Sequence, residues 1–190
     1  APASWDAVVE RLRKRGIRGD LGAKAGLLAE RKSGSGHYDR LRGRLTFPIK
    51  DVRGRLIGFG GRALDADQEP KYLNTPETPV FHKRTSFYGY PAALESIRRA
   101  GRVILCEGYF DRIAFARAGM AEALATCGTA LTEEHGSELR KRAREIVLVF
   151  DGDKAGQLAT EKALRVLLPH GLRVRAALIP AGMDPDDYLK

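Results

Sequence analysis

Cysteine is almost missing from this 190-residue chain: there are two, Cys106 and Cys127, and the four histidines lie scattered away from them. Neither cysteine has a second Cys or a His at metal-ligand spacing, which excludes a thiolate zinc site built within this chain. Two cysteines are also too few for the disulfide framework of a small secreted domain. Both sit in apolar, strand-like runs, so two buried reduced thiols are expected, with one disulfide between them as the alternative. Long apolar runs are missing too. No stretch approaches the roughly 20 residues that cross a membrane, and the opening A-P-A-S-W-D lacks the basic-then-apolar pattern of a secretory signal. A cytoplasmic protein with no membrane attachment is expected. Internal repeats and low-complexity segments are also lacking. With 43% hydrophobic and 30% charged residues, the composition is that of a globular chain.

Positive charge, by contrast, is abundant and uneven. The net charge is +9, yet residues 1–106 hold 21 Lys+Arg against 11 Asp+Glu, while residues 107–190 hold 12 against 13. A basic front half beside a half with clustered acids suggests a polyanion held next to a metal centre. A generally basic, solvated surface is the plainer alternative.

Helical spacing of Trp5, Val8, Val9 and Leu12 predicts a helix over residues 4–15 capped by Ser4, and a weaker helical stretch covers 20–30. Residues 44–64 read as two antiparallel strands around the turn Asp51-Val-Arg-Gly54, followed by an irregular connection over 65–90. From residue 91 a helix and then a strand–helix rhythm take over, with strands near 102–106, 122–127, 146–150 and 173–179. Helices fall near 91–100, 110–118, 132–143 and 154–168, which implies a parallel sheet with right-handed crossovers. The expected division is therefore a basic N-terminal α+β lobe over 1–100 and an α/β domain over 101–190.

Chemistry is concentrated where the apolar runs stop. V-I-L-C (103–106) runs into Glu107-Gly-Tyr-Phe-Asp111, I-V-L-V-F (146–150) into Asp151-Gly-Asp153, and A-A-L-I (176–179) is followed by Asp184-Pro-Asp186-Asp187. Ligands of open α/β sheets gather beyond the carboxyl ends of the strands. Acids crowded there would repel one another unless a divalent cation neutralised them, and an all-oxygen donor set favours Mg2+ or Mn2+ over zinc. Taken singly, either acidic pair also reads as an Asp capping the helix after a strand.

The pattern E-G-Y-F-D (107–111), then D-G-D-K-A-G (151–156), resembles the Toprim domain, a parallel sheet flanked by helices. R-L-T-F-P-I-K-D-V-R-G-R-L-I-G-F-G-G-R (44–62), P-K-Y-L-N-T-P-E-T (70–78), V-F-H-K (80–83), G-T-A-L-T (128–132) and D-P-D (184–186) resemble the bacterial replicative DNA primase of the DnaG type. The resemblance implies a DNA-directed RNA polymerase, a metal-dependent nucleotidyltransferase. It would make short RNA primers on a single-stranded DNA template from ribonucleoside triphosphates, at the replication fork in the cytoplasm. It carries over Glu107, Asp151 and Asp153 as catalytic metal carboxylates, with Asp111, Asp184 and Asp186 enlarging the acidic site. Arg62, Lys71 and Lys83 become nucleotide- or nucleic-acid-binding cations, and Tyr72 and Asn74 contacts to a base or ribose. In that family a zinc-binding domain precedes the core and a helicase-binding domain follows it. Neither fits here, and with no initial Met the chain is expected to be a catalytic-core piece, with zinc and helicase reached only through domains outside it. The alternatives are a Toprim nuclease or topoisomerase fragment, and a non-catalytic single-stranded DNA-binding module.

Overall fold

In the computed structural model, which describes residues 1–190, the chain divides by packing into residues 1–49 with 56–82 and residues 50–55 with 83–190. The first unit holds α1 (Ala7–Lys14), α2 (Gly19–Lys24), an antiparallel pair β1 (Leu28–Glu30) and β2 (His37–Asp39), and a three-stranded sheet. That sheet is ordered β3 (Arg44–Lys50), β4 (Leu56–Ala63), β5 (Tyr72–Asn74). The helical pattern after residue 20 breaks early, because residues 28–30 become a strand paired with His37–Asp39. Ser4 does not cap α1 directly; its hydroxyl bonds the Asp6 carboxylate at 2.8 Å. The free N–H groups of Val8 and Val9 instead donate to the carboxylate of Asp39, at 2.7 and 3.1 Å. A cap of this kind is typically worth about 1 kcal/mol, and here it also ties α1 to β2. The apolar stripe of α1 is only half covered, and Trp5 lies outside the helix, 51% exposed.

The second unit is a five-stranded sheet in the order β10-β9-β7-β8-β6, built from β6 (Phe87–Tyr88), β7 (Arg102–Cys106), β8 (Ala123–Thr126), β9 (Glu145–Leu148) and β10 (Arg173–Ala176). β7 to β10 are the four expected parallel strands, and β6 adds an antiparallel edge that the irregular 65–90 reading did not include. The helices are α3 (Tyr90–Ala100), α4 (Tyr109–Arg117), α5 (Glu133–Arg140), α6 (Lys154–Leu167) and α7 (Pro185–Tyr188). Alternation along β7 sends Val103 and Leu105 to one face, where they pack with Ile97, Leu139 and Leu167 from α3, α5 and α6. Ile104 and Cys106 face the other way and pack with Phe115 of α4. By packing, α3 goes with the second unit, because it buries Tyr90, Ala93 and Ile97 in this core. The hairpin tip at 50–55 joins it through Val52.

Cys106 and Cys127 are buried free thiols, not a disulfide. Burial pushes Cys127 up to about 12 and Cys106 well above its usual value, so both are inert at neutral pH. No helix is long and apolar enough to cross a membrane.

His135 is the N-terminal cap partner of Thr132 and is wholly buried. Its Nδ1 lies 3.2 Å from the Thr132 N–H and its Nε2 3.4 Å from the Ser86 carbonyl, so a neutral ring is held at both nitrogens. Burial depresses its pKa, against the opposing hydrogen bonds to backbone. As pH falls through about 6.5, the unfolded chain takes up this proton first. Stability that is complete above that pH is therefore lost on further acidification toward the folded value. Urea unfolding from pH 8 to pH 5 is expected to show this loss in the wild type and a shallower one in His135→Gln; parallel curves would contradict it.

Candidate active site

Three strand ends deliver the acids. β7 and β9 are direct parallel neighbours, with Leu105 opposite Leu148, and a further ladder bond runs from the Val149 N–H to the Leu105 carbonyl at 2.9 Å. Glu107 and Asp151 therefore emerge side by side. The turn after β9 is wedged against the segment after β10. The Gly152 N–H donates to the Met183 carbonyl at 3.0 Å, and a Cβ on Gly152 would stand 2.2 Å from the Pro180 carbonyl oxygen. A Cβ on Gly156 would stand 2.1 Å from the carbonyl oxygen of Asp151. Neither glycine has a positive φ; both are required by close approach of backbone to backbone.

Several of the carboxylates are also helix caps. Asp153 accepts from the Gly156 N–H at 2.8 Å at the start of α6, and Asp184 from the Asp187 N–H at 2.7 Å at the start of α7. Asp111 accepts from the Gly108 N–H at 2.9 Å and from the backbone N–H of Asp186. The capping and cation-binding readings are thus compatible, since an ionised carboxylate keeps further lone pairs.

The electrostatics show which acids influence one another. Asp111 is buried, and its pKa is pushed up to about 6, first by that burial and then by Asp151 and Asp184, against its two backbone hydrogen bonds. Glu107 stands at the exposed rim, but crowding by protein raises it, with Asp151, Asp111 and Asp153 adding repulsion. Asp151 is raised by burial and then by Asp184 and Asp153. Five acids from three loops therefore share one field. Asp186 is the exception: it gives Asp111 its N–H, while its carboxylate lies 3.5 Å from Lys190 Nζ.

No group of three or more His, Cys, Asp or Glu side chains is gathered tightly enough to hold an ion as it stands. The donor set by its chemistry fits a hard divalent cation: all oxygen, partly desolvated and short of positive charge.

The cationic candidates fall into both units. Arg62 on β4 pairs in register with Tyr72 on β5, its guanidinium 5.7 Å from the Tyr72 ring, and Asn74 lies opposite Gly60. Lys71 immediately precedes the same strand, and its carbonyl accepts from the buried Arg44 at 3.3 Å and from the Ala63 N–H at 2.9 Å. Tyr72 and Asn74 thus lie on the edge strand of the small sheet, with Arg62 beside them on its central strand and Lys71 just ahead of β5. Lys83 belongs to the second unit, where its charge acts on Cys127. Glu77 meets His82 at 3.3 Å. Arg44 and Asp39, both 2% exposed, escaped the sequence reading; Y-D-R ahead of a strand carries no local sign that its Asp caps a distant helix.

Residues 1–94 match the family model described as DNA primase catalytic core, N-terminal domain, and residues 104–189 match the Toprim-like model. DNA primase of Halalkalibacterium halodurans is 43% identical over 190 residues, covering 100% of this chain and 32% of that protein. The chain thus spans about a third of the length of that curated relative. Among solved structures, the zinc-binding and RNA polymerase domains of Aquifex aeolicus primase superpose with a TM-score of 0.91 at 36% identity, covering 100% of this chain and 46% of that one. A DnaG primase catalytic domain bound to single-stranded DNA gives 0.88 at 38% identity, covering 100% and 61%.

Proposed function

Since the chain belongs to the DnaG-type DNA primase family, we propose that it is the catalytic core that joins ribonucleotides into an RNA primer on single-stranded DNA. The observation that carries this reading is the convergence of Glu107, Asp111, Asp151, Asp153 and Asp184 at the carboxyl ends of a Toprim sheet. The match of residues 1–94 to a primase core separates it from a Toprim nuclease or topoisomerase.

Glu107, Asp151 and Asp153 would hold divalent metal, Mg2+ or Mn2+, with Asp184 and the buried Asp111 supporting them within the same field. Bound there, the metal supplies Lewis-acid activation of a primer 3′-hydroxyl and charge neutralisation on the triphosphate. Asp153 and Asp184 hold the starts of α6 and α7 and so fix the two loops that carry the acids. Asp186 acts through its backbone N–H, keeping Asp111 in place. Arg62, Lys71 and Lys83 offset charge on phosphate oxygens, and Tyr72 and Asn74 contact base or ribose. The template, ribonucleoside triphosphates and nascent RNA are the ligands of this core, and the site of action is the cytoplasmic replication fork. Zinc and the replicative helicase belong to domains outside these residues.

Incorporation of labelled ribonucleotides on a single-stranded template, with magnesium and then manganese, tests the reading directly. Template-dependent product is expected; strand binding without any incorporation in either metal would favour the non-catalytic module. Lys71→Ala is expected to weaken single-strand binding and to flatten the log–log salt dependence by about 0.7 for one lost phosphate contact. An unchanged slope would make Lys71 a solvated surface charge.

A further inference from the structure

Primer synthesis as described leaves the G-T-A-L-T loop (128–132) without a role, although it stands at the carboxyl end of the parallel sheet, where ligands gather. β8 lies on the side of β7 away from β9, with Ala125 opposite Cys106. The chain therefore leaves β8 through Thr126 and Cys127 alongside Glu107 and Gly108. Glu107 has Asp151 on one flank and this loop on the other. Two strand spacings, about 10 Å, separate the ends of β9 and β8. The loop is anchored as well. Leu131 packs against the larger core, and the Thr132 hydroxyl donates to the Arg84 carbonyl at 2.9 Å while it caps α5.

What the loop offers is hydrogen-bond donors. The N–H groups of Thr129, Ala130 and Leu131 reach no protein acceptor. Gly128 has a φ of +73° and Thr129 does not share its sign. Such alternation turns successive N–H groups toward one concavity and makes it a site for anions. The Thr129 hydroxyl is buried and has no hydrogen-bond partner, a condition that costs stability unless a ligand relieves it. Positive charge is close by, since Lys83 acts on Cys127, the residue before Gly128. The first two carboxylates of α5 are engaged elsewhere, Glu134 with Arg84 and Glu133 with His170, both at 2.9 Å. Donors on one side of Glu107 and a cation-seeking set of acids on the other suit a ligand with many anionic oxygens. A polyphosphate has enough of them to serve both sides at once.

We propose that the loop 128–131 cradles the triphosphate of a ribonucleotide, with the Thr129 hydroxyl and the neighbouring backbone N–H groups donating to phosphate oxygens. The proposal rests on the primase reading for the identity of the nucleotide, and it adds to that reading the residues that grip the tail. Two nucleotides carry this group during primer synthesis, the incoming one and the first one of the primer. Both present the same chemistry to the loop.

Calorimetric titration of the 190-residue chain with ATP, ADP and AMP, in Mg2+ and without template, reads the site apart from synthesis. Affinity is expected to fall from ATP to AMP. Thr129→Val should weaken ATP about tenfold, the scale of one hydrogen bond to a charged acceptor, and leave AMP unchanged, with Thr129→Ser restoring most of the loss. The Tm of Thr129→Val should equal or exceed that of the wild type, because an unpaired buried hydroxyl is replaced by a methyl group. A marked fall in Tm would show that the fold itself uses the hydroxyl and overturns the proposal, as does equal weakening of ATP and AMP or no weakening of either. Extension of a preformed RNA primer with a 5′-hydroxyl then separates the two sources. A raised KM with little change in kcat assigns the loop to the incoming nucleotide, and a raised KM in unprimed synthesis alone assigns it to the first one. Wild-type ATP binding that Thr129→Val weakens, in a chain that incorporates no ribonucleotide, sinks the primase reading and leaves the cradle standing.

Discussion

Asp151→Asn and Glu107→Gln are each expected to lower primer synthesis on the order of 10²–10³-fold or more, while single-strand affinity stays near that of the wild type. The scale is that of losing one preorganised charge-stabilising group, and the two acids sit at the ends of adjacent parallel strands. A second measurement makes the prediction sharper. Both acids are held above their ordinary pKa by crowding and by neighbouring carboxylates, so the fold suffers from their ionisation at neutral pH. A neutral amide of the same shape relieves that repulsion, and the melting temperature in the absence of divalent metal should equal or exceed that of the wild type. Lost activity with retained or raised stability is the signature of residues kept for chemistry. Near-normal incorporation by either variant would remove it from the catalytic set, and a marked drop in Tm would mark it as a structural residue instead.

Gly152→Ala is expected to come close to the same loss of activity by a different route. Its Cβ would meet the carbonyl oxygens of Pro180 and Ile179 at 2.2 and 2.7 Å, and both are backbone atoms that no rotamer change can move aside. The turn carrying Asp151 and Asp153 would have to part from the loop carrying Asp184, breaking the 3.0 Å bond from the Gly152 N–H to Met183. Overpacking of this kind costs about 1–3 kcal/mol. Unlike Asp151→Asn, this variant should lose both synthesis and thermal stability. A Gly152→Ala protein with native Tm and native incorporation would show that the wedge does not hold the acidic loops together.

The parallel strands and their acidic ends could be read from the chain because both signals are local. An apolar run followed at once by Glu107 or Asp151 states its own register, and Thr132, Pro169 and Gly171 punctuate the helices. What was not legible depends on partners distant in sequence. Asp39 caps α1 across the turn of β1 and β2, so the nearby Ser4 took the role in the sequence reading. β6 is two residues long and exists only because β8 offers an edge at Thr126 and Ala125. Asp186 falls within an acidic motif, yet a single helical turn aims its carboxylate at Lys190, which spacing from Asp184 cannot show. Trp5 fitted a helical stripe on paper, but the helix starts at Ala7 and leaves it outside.

The tip at 50–55 bears on how this chain can be cut apart. Asp51 organises that turn by accepting from the N–H groups of Arg53 and Arg55, both at 2.9 Å, and Val52 reaches the core that α3, α5 and α6 share. A truncation beginning at Lys83 would keep every strand of the larger sheet and still leave a hole where Val52 packs. Recombinant excision of the Toprim half along a single peptide bond should therefore yield a leaky hydrophobic interior, whereas a version supplying the six-residue loop on a linker should seal it.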